Sequence, residues 1–384
     1  MIYADHAATT PVRREALEAM WPYLTRQFGN PSSHHTVGEA AAAGLEAARA
    51  SIAQVLGVRA RDLVFTGGGT EADNLAVKGI GLGRPRGRHL ITSPLEHEAV
   101  LASADHLVRL HGFEVDYLTP DRDGLVSADE LAGLVRPDTT VVSVQYANNE
   151  IGTVQPLADL TRVTRAAGVP FHTDAVQAAG WLPLNVAALG VDALSLSGHK
   201  LGAPQGIGLL WVRGRLPLEP VLHGGGQERG LRSGTQNVPG AVALAAALAA
   251  AEAEREAVAS RLTGLRTRFT STVLGQVPGA QLTGSAERRL PASASFVFDG
   301  TGGEAVLVEL ERRGVLCSSG SACAAGSDEP SHVLTALGLP DDLARTAVRF
   351  TFGSGTTEAD AEEAARAVVE SVAAIRGLTQ RPPS

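Results

Sequence analysis

Cysteine is nearly absent: Cys317 and Cys323 are the only two in 384 residues. That scarcity excludes a disulfide framework and leaves no C-x-x-C pair for a zinc site. No apolar run approaches the ~20 residues of a membrane-spanning helix, the longest being the stretch from Ala241 to Ala251. The first residues, Met1-Ile-Tyr-Ala-Asp5, lack a basic region followed by an apolar core. No secretory signal is therefore expected, and a soluble cytoplasmic protein is. Basic excess is also missing, since 33 Lys and Arg face 41 Asp and Glu for a formal charge of −8. Direct nucleic-acid binding has no electrostatic footprint here, so any such partner would be reached through another protein. There is no internal repeat and no low-complexity linker, and only the tail Gln380-Arg-Pro-Pro-Ser384 has a disordered composition.

What is present is a globular balance, 44% hydrophobic and 19% charged, in a chain long enough for two to three domain-sized units. Short apolar, β-branched runs alternate with helical patterns: Leu63 to Thr66, His89 to Thr92, Glu114 to Leu118, Thr140 to Val144, Val169 to His172, Ala193 to Leu196 and Ile207 to Val212. Helical spacing such as that of Ala158 to Ala167 lies between them, so the expected fold is α/β, a mostly parallel mixed sheet covered by helices. An Ala- and Glu-rich helix from Val242 to about Leu274 leads into a smaller α+β part. That part has strands near Ser293 to Phe298 and Val348 to Phe352 and a helix from Thr357 to about Ile375. The expected division is a large unit over 16–255 and a small one formed by 1–15 and 256–384, packed around a shared cleft.

The chemistry-bearing residues fall at the ends of those runs. Lys200 follows Val191 to Ser197 and His199, where α/β sheets place ligands. A lysine amine there, desolvated or held near other cations, is the nucleophile that a pyridoxal phosphate (PLP) enzyme needs for its Schiff base. Read alone, a lysine after a strand is more often a solvated loop residue. Gly67-Gly-Gly-Thr-Glu-Ala72 follows one strand and opens a helix, which suits a single phosphate. The letters also fit a dinucleotide fingerprint, but the acidic residue expected ~20 positions on is missing from Leu90 to Pro94, and no Gly-Lys-Ser/Thr follows. Asp174 follows a strand upstream of the lysine and offers the carboxylate that keeps a PLP ring nitrogen protonated. Alone it would be a cap or turn residue. His97, after Glu96, offers a ring for stacking and proton transfer, and Asn148-Asn149 an amide. Ser318-Ser-Gly-Ser-Ala-Cys323-Ala-Ala-Gly326 reads as an exposed, mobile loop of small residues around one thiol. Cys317, preceded by Gly314-Val-Leu316, reads as a buried, inert one.

Taken in order, the motifs Asp5-His-Ala-Ala-Thr-Thr-Pro11, Gly29-Asn-Pro-Ser-Ser33, Thr70-Glu-Ala-Asp-Asn74, Asn148-Asn-Glu-Ile-Gly152, Ser197-Gly-His-Lys200, His223-Gly-Gly-Gly-Gln-Glu-Arg229, Arg232-Ser-Gly-Thr235 and Ser318 to Cys323 span the chain. Together the chain resembles the cysteine desulfurases of the PLP-dependent class V aminotransferase group, in the branch with a long mobile cysteine loop. The resemblance implies a fold-type I homodimer with shared active sites. It implies Lys200 as the Schiff-base lysine, Asp174 on the ring nitrogen, Gln177 on the phenol oxygen and His97 stacked on the ring. Gly69, Thr70, Ser197 and His199, with Thr235 of the neighbouring subunit, would hold the phosphate. Asn149 and Arg349 would orient L-cysteine, Arg349 through its carboxylate. Cys323 would take the sulfur as a persulfide, giving alanine, and pass it to an acceptor protein in iron–sulfur assembly, tRNA thiolation or DNA phosphorothioation. No metal is expected in the cofactor site, although Cys323 could contact an iron–sulfur cluster during transfer. Where the family often has a Gly-Arg pair after Arg349, this chain reads Phe352-Gly-Ser-Gly-Thr-Thr357. An aminotransferase or selenocysteine lyase on the same scaffold, and a catalytically idle sulfur-relay scaffold, are the competing expectations. The first does not require Cys323, and the last does not require Lys200, Asp174 and His97.

Overall fold

The computed structural model of the chain describes residues 1–83, 85–320 and 329–379. Twelve strands run through them: β1 (Ile2–Tyr3), β2 (Leu63–Thr66), β3 (His89–Thr92), β4 (Glu114–Tyr117), β5 (Thr139–Ser143), β6 (Phe171–Asp174), β7 (Ala193–Ser197), β8 (Gly208–Val212), β9 (Ala280–Leu282), β10 (Ser293–Phe298), β11 (Val315–Leu316) and β12 (Val348–Thr351). The large sheet has seven strands in the order β2-β8-β7-β6-β5-β3-β4. Strands β4, β3, β5, β6 and β7 are mutually parallel, and only β8 runs against its neighbours. Because β2 is antiparallel to β8, it points the same way as β7. The carboxyl ends of β2, β3, β5, β6 and β7 therefore lie along one edge.

Strands buried on both faces need helices on both sides. The helices α1 (Arg14–Thr25), α2 (Thr36–Leu56), α3 (Gly69–Gly83), α4 (Glu98–His111), α5 (Ala128–Leu134), α6 (Leu157–Ala167) and α7 (Val186–Leu189) follow in chain order. The long α8 (Val238–Gln276) packs against both α1 and α2 and continues towards the small sheet. Alanines 241, 243, 245 and 247 in its first half are buried, and such small side chains let neighbouring helices approach closely. It starts four residues before the expected Val242 because the Asn237 side chain accepts a hydrogen bond from Gly240 N–H at 3.0 Å, a cap that sets the start. Strand β6 begins at Phe171 rather than at Val169, since Pro170 has no N–H to give to a ladder. Asp174 is accordingly the last residue of that strand, paired with Ser195, and not a residue beyond it.

The small sheet is antiparallel, in the order β12-β10-β9, around Phe269, Phe296, Phe298, Phe350 and Phe352. Ring contacts such as Phe269 to Phe352, 5.2 Å and perpendicular, fill this core. Strand β1 pairs with β11, and Asp5 bridges to Thr351, so the chain start is tied to its last third. Among the described residues, no helix is long and apolar enough to cross a membrane.

One buried ion pair holds the His223–Arg229 motif to the large sheet. Arg49, from α2, forks onto Glu228 with contacts of 2.9 and 2.8 Å, and Glu228 also accepts Phe65 N–H at 3.0 Å. Glu228 and Arg229 both adopt left-handed backbone (φ 48 and 59), strain that persists only where the surroundings fix it. Glu228→Gln should leave the buried Arg49 with the exposed Glu46, at 3.1 Å, as its remaining acidic partner and destabilise the protein by about 3 kcal/mol. Chemical denaturation checks this, and a change under 1 kcal/mol would class the pair with surface ion pairs.

Candidate active site

A cavity of about 890 Å³ opens at the carboxyl edge of the large sheet, a size suited to a cofactor with a small substrate. Most of the segments that reach it carry residues flagged in the sequence, although Gln205, Gly206 and Val221 line it as well. The turn after β2 and the first turn of α3 bring Gly69 and Thr70, and the β3–α4 connection brings His97. The loop after β5 brings Asn149, and β6 with its following turn brings Asp174 and Gln177. Ser197, His199 and Lys200 arrive from the end of β7 and the short turn Gly198–Lys200, and Arg349 from β12. Thr235 does not line it, and Cys323 lies outside the described residues.

The end of the cavity at the Gly67–Gly69 turn is a cradle that only glycine permits. A Cβ at Gly69 would stand 2.8 Å from Val176 Cγ2 and 3.2 Å from Ser197 Cβ, and one at Gly208 would strike the backbone of Gly68. The loop therefore lies tight on β7 and β8, with the α3 amino terminus and the Thr70 and Ser197 hydroxyls at the cavity. Backbone N–H groups and hydroxyls without a basic side chain suit one phosphate. Glu71 in the same turn is kept from opposing that anion by Arg232, which it meets at 2.7 Å, and by Gly67 N–H, which it accepts at 2.7 Å.

Lys200 points its amine at the amino-terminal segment. Its Nζ donates to the carbonyls of Ala7 and, at 2.7 Å, Ala8, and Gln177 Nε2 donates to the Ala7 carbonyl at 3.1 Å. His199 meets the Thr9 hydroxyl at 3.1 Å, and burial together with the Lys200 charge pushes its pKa down to about 4. A neutral ring there can donate to a phosphate only through the nitrogen that carries the proton.

Asp174 sits on the cavity floor and accepts Val176 N–H at 2.8 Å. Burial raises its pKa, while His97, that amide and Lys200 pull it back. The carboxyl lines the cavity, a place that suits holding a proton on a cofactor nitrogen. His97 caps α4, its Nδ1 accepting Ala99 N–H at 3.0 Å, so in the neutral ring Nε2 carries the proton.

Two acids that the sequence reading passed over lie near Asp174. Asp73 lines the cavity and Glu96 does not; both are buried, and each has one oxygen without a hydrogen bond, Oδ1 of Asp73, which has His172 Nε2 at 3.7 Å, and Oε2 of Glu96. Burial, reinforced by the Asp174 charge, holds both well above the usual carboxylate range. His172 lies between the Ser143 and Ser195 hydroxyls, 2.9 Å from each, and burial lowers its pKa to about 3. The available signal for Asp73 was an acid on the same helix face as buried Ala72 and Ala76.

Near Arg349, Asn148 and Asn149 separate in role. Asn148 is structural, its side chain accepting from Glu150 and Ile151 N–H and donating to the Leu95 carbonyl. Asn149 faces the cavity, and its carbonyl accepts Arg349 Nη1 at 2.9 Å. Cys317 packs against the small core, where burial raises its thiol pKa.

Comparison with known proteins gives the same picture over nearly the whole length. The cysteine desulfurase IscS of Dictyoglomus turgidum is 44% identical over 360 residues, 94% of this chain and 91% of that one. The cysteine desulfurase IscS of Methanosarcina thermophila is 43% identical over 383 residues, 100% and 94% of the two chains. Among solved structures, a NifS-like protein superposes with a TM-score of 0.90 at 36% identity, covering 96% of this chain and 98% of its own. SspA, solved in complex with cysteine, gives 0.80 at 38% identity, covering 92% and 99%. The fold is that of the fold-type I PLP enzymes, as the sequence led us to expect. Residues 2–363 match the aminotransferase class-V profile, and the chain belongs to that family.

Proposed function

We propose that this site desulfurates L-cysteine, leaving L-alanine and a persulfide on Cys323 that is passed to an acceptor protein. The observation that carries the reading is the meeting of Lys200, Asp174 and Arg349 with a glycine-built phosphate cradle in one cavity, in a chain whose full-length relatives are cysteine desulfurases. The cofactor is PLP, which when bound supplies an electron sink for charge developing on the substrate carbons. Lys200 Nζ would anchor it and carry protons to and from the substrate. Asp174 would keep the ring nitrogen protonated, Gln177 would bond the phenol oxygen, and His97 would stack on the ring. Gly69, Thr70, Ser197 and His199 would hold the phosphate. Asn149 and Arg349 would orient the substrate. The Cys323 thiolate would attack the substrate sulfur, forming an S–S bond as the C–S bond breaks. The carbon keeps that electron pair and takes up a proton to become the methyl group of alanine.

A homodimer with Thr235 completing the partner's phosphate site belongs to the same reading. Leu17, Trp21 and Leu24 on α1, followed by Phe28, recur at helical spacing and are each at least half exposed, which supports a covered face in the assembly. Two of the four hydrophobic clusters support the division into a large unit, 16–255, and a small unit, 1–15 with 256–384: one draws on Ala16 to Ala251 and another on Ala4 with Leu262 to Val372, while a further cluster with Leu95, Ile151 and Val297 joins the two units. A cytoplasmic setting, where thiols stay reduced, suits a free-cysteine mechanism.

Incubation with L-cysteine and a reductant tests the activity, and alanine and sulfide should appear in equal amounts. A keto acid without sulfur release would mark an aminotransferase, and no product at all an idle scaffold. Arg349→Gln should raise KM for L-cysteine and lower kcat/KM by roughly 30 to 150-fold, the loss of a charge-assisted pair of ~2–3 kcal/mol. An unchanged KM would move carboxylate recognition to another residue.

A further inference from the structure

Arg349 is 1% exposed, yet its hydrogen bonding is incomplete. Nη2 donates to Asp5 Oδ1 at 2.7 Å, Nη1 to the Asn149 carbonyl, and Nε has no acceptor. The partner in this pair, Asp5, is 19% exposed. It lies on the segment Ala4 to Thr10, which runs from the small sheet across the mouth of the cavity. Thr351 holds one side of that segment, its hydroxyl accepting Ala7 N–H at 2.8 Å and its carbonyl His6 N–H at 3.2 Å. On the other side, two and three residues beyond Asp5, the Ala7 and Ala8 carbonyls hold the Lys200 amine. One short segment thus carries a carboxylate on the cation assigned to the substrate and two carbonyls on the reactive lysine.

We infer that Asp5 is a positioning residue, the resident counter-ion of Arg349 that the substrate carboxylate displaces, and that its displacement loosens the segment from His6 to Thr10. The inference rests on the reading of Arg349 as the carboxylate site. Charge decides which group moves. With Asp5 in place the pair is neutral, and a second carboxylate on the same buried guanidinium would give two like charges around one cation. Arg349 cannot leave for water, whereas Asp5, at the edge, can. Cysteine analogues without a carboxylate would bind without releasing the segment, so Asp5 makes that release depend on an α-carboxylate.

The probe is 3-mercaptopropionate, which has the thiol and carboxylate of cysteine and no amine to condense with the cofactor; its carboxamide is the control. In calorimetry on the PLP-loaded enzyme, Asp5→Asn should bind the acid roughly tenfold more tightly than wild type, the scale of a relieved like-charge contact. Asp5→Glu should match wild type, and the carboxamide should bind all of them alike. Equal or weaker binding of the acid by Asp5→Asn overturns the inference. Arg349→Gln binding the acid as well as wild type would instead overturn the reading of Arg349. Asp5→Asn leaves a buried guanidinium unpaired and so tests folding as well; wild-type hydrogen exchange supplies the independent arm. The acid, but not the carboxamide, should speed exchange at the His6, Ala7 and Thr10 amides. Unchanged exchange there would overturn the coupling of Asp5 displacement to the segment.

Discussion

Lys200→Ala should abolish turnover and covalent cofactor attachment together. Among the described residues its amine is the only lysine nitrogen lining the cavity, and under the proposed function it would serve both as nucleophile toward the cofactor aldehyde and as carrier of protons at the substrate. Loss of a positioned acid–base group alone typically costs 10²–10⁴-fold, and the covalent role adds to it, so turnover should fall by more than ~10⁴-fold. Borohydride treatment followed by peptide mapping should place the reduced adduct on the Lys200 peptide in wild type and on no peptide in the variant. The phosphate cradle and Asp174 do not depend on the lysine, so the variant should still take up PLP reversibly. A small primary amine in the buffer should restore part of the activity. A reducible covalent adduct in Lys200→Ala would assign the anchor to another residue.

The site was legible where chemistry falls at strand ends. Lys200, Asp174, His97 and the Gly67–Gly69 turn each follow an apolar run. Once those runs share a direction in one sheet, their ends must meet at one edge. Arg349 was the exception, since nothing local marks it, and only the resemblance brought it forward. Asp73 and Glu96 were missed for a different reason. An acid in an amphipathic helix or a loop is ordinarily solvated, and only the folded packing shows these two buried. Asp5 sat within a quoted motif without an assigned role, because its partner is 344 positions away. In the same way Glu228, from the His223–Arg229 motif, has a structural task that appears only when Arg49 is brought to it. Strand limits shifted by one or two residues where ladder chemistry, such as the missing N–H of Pro170, overrode apolar pattern.

The two thiols should separate completely in function. Ser318, one residue past Cys317, is held to β12 by reciprocal backbone bonds with Arg349, of 3.3 and 2.7 Å. Beyond the undescribed stretch, the Ser331 hydroxyl donates to Glu150 at 2.5 Å, next to Asn149. Residues 318 and 331 are thus both anchored beside the substrate end of the cavity. Cys323 is five positions from Ser318, a reach of at most ~17 Å at full extension, enough to bring its sulfur to a substrate held on Arg349. Cys317 has no such freedom, because it packs on the small core and its burial disfavours the thiolate that the attack requires. Cys323→Ser should therefore bind PLP and L-cysteine, show the spectral change of substrate binding, and release neither sulfide nor alanine above background. Cys317→Ser should keep most of its activity. Mass spectrometry after brief exposure to L-cysteine, without reductant, should find a gain of about 32 Da, one sulfur on a cysteine, on the peptide holding Cys323. If that mass appears chiefly on Cys317, or if Cys323→Ser releases sulfide at the wild-type rate, the sulfur leaves the substrate by a route that does not use Cys323.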